Sequence, residues 1–323
     1  MRRTVALAVV ALSLLAGAPA GAGEPPAAPM PEPGRSEVAG ASWRKFGVIA
    51  VSGGFVPSPQ GGLTASADLL FYDVDADEWR PGPDLPGPRD HGTMAAVGGS
   101  LYLVGGYTTG LSGATDQVFR LNSPEGEWEE VASMETPRGA LATVAIQGRL
   151  VALGGANDDG VLASTEIYDP DTDEWTAGPS LEIEREHLGA TVIGRRAYAV
   201  GGRNPGNLTS VESLRFRRGT PQGEWTQVPE LEFSRGGNGA GTAGGVACTA
   251  GGEEQAGTIG PVECLVDGEW RHVSDMAEPR HGLAVVGAGG DLHVISGGRE
   301  PGLAFSTDHE VFSLATVLVS RAR

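Results

Sequence analysis

An all-β fold of six repeated units is predicted by three regularities that recur along this sequence with one period. Six Gly-Gly doublets each close a short apolar run, and successive doublets begin 46 to 52 residues apart. A Glu-Trp pair precedes an arginine at a constant distance, and that arginine precedes the next doublet at a nearly constant distance. Units of this length cannot bury their apolar faces alone and must stack on copies of themselves. The doublets begin at Gly53, Gly105, Gly154, Gly201, Gly251 and Gly297.

The repeat unit reads Glu-Trp-x5-Leu/Met-x3-Arg-x15-Gly-Gly, with one extra residue before the last doublet. From the second glycine of a doublet to the next Trp the distance varies between 18 and 25 residues, so length variation is confined to one segment. Constant spacing indicates a structural framework, and variable spacing indicates loops. The tryptophans are Trp79, Trp128, Trp175, Trp225 and Trp270, and the arginines that follow them are Arg89, Arg138, Arg185, Arg235 and Arg280.

Each repeat contains four short runs of β-forming residues bounded by turn residues, for example HLGATVI, RAYAVGG, VESLRF and GEWTQV. Their lengths are typical of strands, and no helical period appears beyond the N-terminus. Blades of four antiparallel strands arranged around an axis leave only short edges exposed. We therefore predict a six-bladed β-propeller with four strands per blade over residues 35–323.

A further pattern precedes each Trp: an aromatic residue is followed by acidic residues. It reads FYDVDADEW around Tyr72 and IYDPDTDEW around Tyr168. Together with the Gly-Gly doublets, this unit resembles the kelch repeat over nearly all of residues 35–323, and the resemblance implies the same propeller. The copies are imperfect, because Phe or Leu replaces the tyrosine in three repeats and the sixth repeat lacks the Trp.

The ring of blades could close in two ways. The sixth repeat could supply its own last strand from ATVLVS, residues 315–320. Alternatively, an N-terminal segment could pair into the last blade and latch the ring. The sequence leaves both closures open.

The N-terminus predicts export. Residues 1–22 combine two arginines, an apolar stretch of secretory length and a small-residue end, which is typical of a cleaved signal peptide. Residues 23–34 form a Pro/Ala-rich tether. No second apolar run is long enough to span a bilayer. We therefore expect a mature chain that is secreted or periplasmic, monomeric and not inserted in a membrane.

The charge of the chain argues against nucleic acid as a partner. The formal net charge is −18, and removal of the two arginines in residues 1–22 brings it to −20. Such a chain repels nucleic acid on average, and no basic stripe with interleaved aromatic residues is present to overcome this. We expect no nucleic-acid partner.

Two cysteines, Cys248 and Cys264, are predicted on the second and third strands of the fifth blade. Adjacent antiparallel strands can bring such a pair within bonding distance, and an exported protein meets an oxidising compartment. A disulfide is therefore expected. The alternative is a pair of buried thiols that replace apolar residues.

One face of the predicted propeller collects the candidate ligand-binding residues. The loop that enters the first strand of each blade opens on the same face as the loop between the second and third strands, so the repeat arginines should form a ring there. In kelch domains of ubiquitin-ligase adaptors, arginines in matching positions line the ligand pocket, so the resemblance implies an anion-accepting face. We expect a protein or glycan partner that carries carboxylates. Alternatively, the arginines bind backbone carbonyls and stabilise neighbouring blades. The candidates are Arg89, His91, Arg138, Arg185, His187, Arg203, Asn204, Arg235, Arg280, His281 and Arg299.

No metal site, cofactor or catalytic residue is predicted. Alternating aspartates near Asp73 and Asp169 could bind calcium, but side-chain hydrogen bonds in tight turns explain them more simply. The copper ligands of galactose-oxidase-like enzymes have no counterpart here. Exported sialic acid mutarotases are similar in size and repeat number, and Glu184 or Glu186 beside Arg185 could imitate their catalytic pair. The predicted function is noncatalytic binding by an exported propeller, with a sugar-acid mutarotase as the alternative.

Overall fold

Short apolar runs separated by tight turns form strands, and the computed structural model arranges them as six antiparallel sheets around a central axis. The structure describes residues 27–314. The predicted signal peptide, the first residues of the predicted tether and the run at 315–320 therefore lie outside the described residues. The one helix that begins and ends within residues 27–314 is a 3-10 turn at Arg44–Phe46, and none of the described helices could cross a bilayer. The prediction of a six-bladed β-propeller is confirmed.

Blades 1 to 3 each contain four antiparallel strands, and the first strand of each blade lies nearest the axis. Blade 1 contains β1 (Ala39–Trp43), β2 (Val48–Ser52), the loop hairpin β3 (Phe55–Pro57) and β4 (Leu63–Ala65), β5 (Leu69–Asp73) and β6 (Glu78–Pro81). Blade 2 contains β7 (Thr93–Val97), β8 (Ser100–Val104), β9 (Val118–Leu121) and β10 (Trp128–Val131). Blade 3 contains β11 (Ala142–Ile146), β12 (Arg149–Leu153), the loop hairpin β13 (Ala156–Asn157) and β14 (Gly160–Val161), β15 (Thr165–Asp169) and β16 (Glu174–Ala177).

Blades 4 to 6 continue the same order. Blade 4 contains β17 (Gly189–Ile193), β18 (Arg196–Val200), β19 (Val211–Arg217), the short β20 (Thr220–Pro221) and β21 (Thr226–Val228). Blade 5 contains β22 (Gly236–Ala243), β23 (Val246–Glu254), the short β24 (Gly257–Thr258), β25 (Pro261–Val266) and β26 (Glu269–Asp275). Blade 6 shows three strands within the described residues, namely β27 (Ala284–Ala288), β28 (Asp291–Ile295) and β29 (His309–Phe312).

The blades pack face to face through apolar side chains. Six clusters of buried residues are present between residues 27 and 314, and each joins two neighbouring blades. Between blades 1 and 2, for example, Trp43 and Phe71 belong to one cluster with Leu103 and Phe119. Each blade therefore buries apolar surface on both sides, which a single repeat could not do alone.

The acidic turns before the tryptophans also join neighbouring blades. Oδ1 of Asp173 accepts hydrogen bonds from the Tyr168 hydroxyl at 2.7 Å and from the N–H of Ala132 in the preceding blade at 2.9 Å. Nε1 of Trp175 donates to the carbonyl oxygen of the same Ala132 at 2.8 Å. The Tyr, Asp and Trp of this pattern therefore bind one blade to the previous one through hydrogen bonds.

A disulfide joins Cys248 on β23 to Cys264 on β25. The two residues stand directly opposite each other in adjacent antiparallel strands. Both lie in the apolar cluster between blades 5 and 6. The bond therefore links the second and third strands of blade 5 inside the core.

Neighbouring blades also meet at the Gly-Gly doublets. The N–H of Gly106 in blade 2 donates to the carbonyl oxygen of Arg138, which enters blade 3, at 2.9 Å. Gly105 has a φ of +60°, and a Cβ added to it would lie 2.6 Å from that oxygen. Glycine alone meets both conditions without strain. The same contact joins Gly54 to Arg89, Gly155 to Arg185, Gly202 to Arg235, Gly252 to Arg280 and Gly297 to Arg35.

The contact between Gly297 and Arg35 closes the ring and shifts the sixth doublet by one residue. The structural doublet of blade 6 is Ser296–Gly297, in which Ser296 takes a φ of +62° and its Oγ donates to the carbonyl oxygen of Arg35 at 2.6 Å. This shift explains the extra residue before the last Gly-Gly, because the distance from Arg280 to Ser296 is 16 residues, as in the other repeats. Arg35 is a sixth repeat arginine that the Trp-based pattern did not include.

The segment before Arg35 lies against blades 6 and 1. The N–H of Met30 donates to the carbonyl oxygen of Thr307 at 2.9 Å, and Nε1 of Trp79 donates to the carbonyl oxygen of Ala28 at 2.9 Å. Met30 is buried in the apolar cluster between these blades. Residues 27–34 of the predicted tether are therefore packed on the propeller rather than extended from it. These contacts place the N-terminal segment against the last blade, and the run at 315–320, on which the other closure depends, lies outside the described residues.

The close approach at the doublets predicts a steep cost for a side chain there. In Gly154→Ala the new Cβ would lie 2.5 Å from the carbonyl oxygen of Arg185, at a φ of +59°. Gly148→Ala is the matched control, because its φ is +84° and no atom lies within 4 Å of the added Cβ. We expect Gly148→Ala to lose about 1 to 2 kcal/mol through backbone strain and Gly154→Ala to lose clearly more. Urea unfolding measures both, and equal losses would contradict the proposed contact.

A buried histidine pair in blade 6 predicts loss of stability in acid. Nδ1 of His293 and Nε2 of His309 are 2.9 Å apart. Burial, reinforced by His293, lowers the pKa of His309 from 6.5 to about 4. The unfolded chain therefore binds more protons between these pH values, and stability falls as the pH drops, by up to about 3 kcal/mol. His309→Gln should flatten this dependence in urea unfolding at pH 4 to 7. A dependence as steep as that of the wild type would exclude His309 as its source.

Candidate functional site

The repeat arginines point into the blades. Nη1 of Arg138 donates to the main-chain oxygens of Gly154 and Ser164 at 2.8 and 2.9 Å. Nη2 donates to Oε1 of Glu166 at 2.7 Å, and the whole side chain is buried. The guanidinium is thus held by its own blade and is not accessible to a partner.

Arg185, Arg235 and Arg280 show the same arrangement. Arg89 is buried as well, so for Arg89, Arg138, Arg185, Arg235 and Arg280 the predicted ligand-binding role is corrected to the structural alternative. A buried charge is stable only when it is paired and hydrogen-bonded, and the blade interior supplies that pairing. The partners are Glu212 for Arg185, Glu263 for Arg235, Glu310 for Arg280, Asp68 for Arg35 and the neutral Gln117 for Arg89.

Two residues after each arginine, the chain reaches the axis and forms what we call the mouth ring. Its members all take positive φ angles, from 50° to 74°. From His91 to Gly282, the N–H of each member donates to the carbonyl oxygen of the previous one, and the N–H of Val38, next to Glu37, donates to Gly282 and completes the circle. The backbone therefore presents six side-chain positions around the opening of the channel. The mouth ring consists of Glu37, His91, Ala140, His187, Gly237 and Gly282.

Three side chains of the mouth ring converge on the axis. The ligand-capable atoms of Glu37, His91 and His187 all lie within 4.8 Å of one another. Nε2 of His91 is 3.3 Å from Oε2 of Glu37, and the two imidazole rings meet edge to face with centroids 4.8 Å apart. Gly282 makes room for Glu37, because a Cβ at that position would collide with its Oε1.

Acidic residues fix both histidine rings. Nδ1 of His91 is 2.7 Å from Oδ1 of Asp90, and Nδ1 of His187 is 2.5 Å from Oε2 of Glu186. An ionised carboxylate only accepts hydrogen bonds, so each Nδ1 carries a hydrogen. In the neutral rings, the Nε2 atoms then have a lone pair available toward the axis.

Further charged residues surround this centre. Arg203 donates to Oε1 of Glu186 at 2.7 Å and to Oε1 of Glu253 at 3.2 Å. Nδ1 of His281 is 3.2 Å from Oε1 of Glu37. Of the residues predicted from sequence, the structure thus brings His91, His187, His281 and Arg203 together.

The network shifts the protonation of its members. Burial alone would raise the pKa of Glu37, but His91 and the other neighbouring histidines lower it well below its usual range. Burial likewise opposes ionisation of Glu186, yet His187 and Arg203 lower its pKa to about 2. Burial lowers the pKa of His187, whereas Glu37 and Asp90 outweigh burial and raise the pKa of His91. At neutral pH the mouth ring and its neighbours therefore combine ionised carboxylates with histidine bases.

A cavity of about 170 Å³ lies directly behind the mouth ring. Its wall is formed by the first strands of the blades, which contribute small and apolar side chains such as Ala142, Ala190 and Ala240. Thr93, Thr143 and Asn238 are the neutral polar side chains that line it. The cavity has room for water or a small group, not for a large ligand.

Two predicted residues lie outside this network. Nδ2 of Asn204 donates to Glu184 at 3.0 Å on an exposed loop, and Arg299 is held by both carboxylate oxygens of Asp308 at 2.8 and 2.6 Å. Sequence analysis missed Glu37 as a site residue. The signal was its position two residues after Arg35, matching His91 after Arg89 and His187 after Arg185.

Comparison with known proteins places this architecture in a family. Residues 24–202 match the family described as the KLHDC2/KLHL20/DRC7 Kelch-repeats domain, which is more than half of the chain. The chain belongs to the kelch-repeat β-propeller family.

Curated relatives agree with this assignment. Kelch-like protein terF of Aspergillus terreus is 26% identical over 82% of this chain and 61% of its own length. Kelch-like protein 41a of Danio rerio is 34% identical over 42% of this chain and 22% of its own length. Beta-scruin of Limulus polyphemus is 26% identical over 82% of this chain and 31% of its own length. The chain thus spans only part of each of these relatives.

A solved structure shares the fold. The structure of YjhT superimposes with a TM-score of 0.73 at 16% identity, over 88% of this chain and 98% of that protein. At this level of identity the similarity concerns the propeller fold alone.

The burial of the repeat arginines predicts a structural effect on substitution. In Arg185→Met, Glu212 would stay buried without its charged partner, and we expect a loss of about 3 to 5 kcal/mol in the free energy of unfolding. Arg195→Met is the matched control, since Arg195 is exposed in the β17–β18 turn. Chemical denaturation compares the two variants. Equal stability of both would show that the pair between Arg185 and Glu212 does not support the blade.

Proposed function

We propose that this chain is an exported kelch propeller that binds a protein partner through the face that carries the Gly-Gly loops. One observation carries the proposal. Within residues 27–314, large apolar side chains are exposed on three loops of this face: Leu111 at 62%, Leu303 at 59% and Phe233 at 38% exposure. Exposed apolar residues rimmed by polar ones are typical of protein-binding surfaces.

The charges of this face favour a different partner from the one expected from sequence. The five repeat arginines that were expected to attract carboxylates are buried. Exposed carboxylates occur on loops of the same face, at Asp158, Asp159, Glu184, Glu254 and Glu300. A partner with an apolar patch flanked by basic residues would complement this surface best.

Export supports an extracellular or periplasmic partner. The signal peptide predicted at residues 1–22 lies outside the described residues, so export remains part of the proposal. The disulfide between Cys248 and Cys264 is compatible with an oxidising compartment.

The side-chain positions do not support the mutarotase alternative. Its rationale was a carboxylate of Glu184 or Glu186 acting beside Arg185. In the structure the Arg185 side chain is buried against Glu212, whereas Glu186 pairs with His187 and Arg203. The arrangement that motivated this alternative is therefore not formed.

Substitution of the exposed leucines tests the binding face. The mature chain and its Leu111→Ser/Leu303→Ser variant would be immobilised and exposed to the extracellular and periplasmic fractions of the source cells. A partner that binds this face should be recovered with the unaltered chain. The double variant should bind that purified partner at least tenfold more weakly, which corresponds to about 1.4 kcal/mol.

The control variant lies on the opposite face. Asp75→Ser/Arg195→Ser changes two exposed turn residues there and should bind like the unaltered chain. Mass analysis of the exported protein should show a shortened N-terminus. The proposal fails if the two double variants bind equally well or if the chain stays in the cytoplasm with its first residues intact.

A further inference from the structure

We propose that the mouth ring binds one divalent transition-metal ion, with zinc as the ion that fits best, through Nε2 of His91, Nε2 of His187 and a carboxylate oxygen of Glu37. Two imidazoles and one carboxylate form a donor set that such ions prefer. Three protein ligands would leave one coordination position, which faces the channel opening.

The distances suit a small tetrahedral ion. Donors held at about 2.1 Å from a tetrahedral ion lie about 3.4 Å from one another. Nε2 of His91 and Oε2 of Glu37 are already 3.3 Å apart, and all three donor groups lie within 4.8 Å of one another. Small side-chain rotations would therefore bring the third donor into place.

Each proposed ligand has a partner that orients it. Asp90 holds Nδ1 of His91, Glu186 holds Nδ1 of His187, and His281 contacts Oε1 of Glu37. Metal-binding histidines almost always donate their other ring N–H to a carboxylate, a carbonyl or water in this way. Nε2 of His187 forms no hydrogen bond with any described residue, and its side chain is nine-tenths buried.

The local charge also favours a cation. Four carboxylates, from Glu37, Asp90, Glu186 and Glu253, meet in this network. Arg203 is the permanent cation among the described residues that contact them. A divalent ion would reduce this excess of negative charge at the point where the three ligands meet.

The fold itself does not require these side chains. The mouth ring is held by backbone hydrogen bonds, and blades 3, 5 and 6 place Ala140, Gly237 and Gly282 at the same position. A positive φ costs a residue with a side chain about 1 kcal/mol or more. Glutamate and histidine at such positions therefore indicate a role beyond closing the ring.

Zinc titration tests the proposal. The mature chain, without a histidine tag and stripped of metal by dialysis against a chelator, would be titrated with zinc chloride by calorimetry. Bound zinc would be counted by mass spectrometry after gel filtration. We expect one zinc per chain, at least tenfold weaker binding in Glu37→Gln, and a larger loss in His187→Ala. Cobalt in place of zinc should give visible d–d absorption that both variants lose.

The controls separate metal binding from general stability. His272→Ala removes a histidine on β26 that contacts Asp275, far from the mouth ring, and should bind zinc like the unaltered chain. Glu37→Gln keeps the side-chain shape, so it covers the case in which His187→Ala melts early. Absence of saturable zinc binding by the unaltered chain overturns the proposal, as does equal binding by Glu37→Gln. This test needs no protein partner, so it is independent of the proposed binding face.

Discussion

The carbonyl oxygen of each repeat arginine accepts a hydrogen bond from the preceding doublet, and the rest of the propeller depends on this close approach. At five of the six junctions the oxygen lies where a Cβ on the first glycine of the doublet would have to stand, and at the sixth it accepts a second hydrogen bond from Ser296. The close approach fixes one blade against the next at six points. The side chain of the same arginine points into the blade that the arginine enters. The guanidinium of Arg138, for example, donates a hydrogen bond to Glu166 in that blade. One residue thus joins two blades, through its backbone on one side and its side chain on the other.

This junction also positions the candidate site. Because the chain is pinned at the arginine, the residue two positions later always reaches the axis with a left-handed backbone. The geometry of the mouth ring is therefore repeated, while its chemistry varies from blade to blade. His91 and His187 become neighbours across the axis although they are far apart in sequence, and Glu37 joins them from the first blade.

The periodic part of this structure was predictable and the non-periodic part was not. Spacing from Trp to Arg to Gly-Gly was sufficient for the fold, because each copy repeats the same local hydrogen bonds. Burial of the arginines was not predictable, since their partners, such as Glu212 for Arg185, lie on a strand across a loop of variable length. The position of Glu37 was missed for a related reason: Arg35 has no Trp before it, so it was not recognised as a repeat arginine.

The contact between Arg35 and blade 6 has a consequence for the order of assembly. Ser296 and Arg35 are separated by 261 residues, and His309 and Ala28 by 281. The other blade junctions join segments only tens of residues apart, so each has a loop-closure cost lower by about 2 kcal/mol. An open stack of blades should therefore form before the ring closes. The mouth ring is complete only after closure, because Glu37 enters it from the first blade and Gly282 from the last. The candidate site should therefore form only in the fully folded propeller.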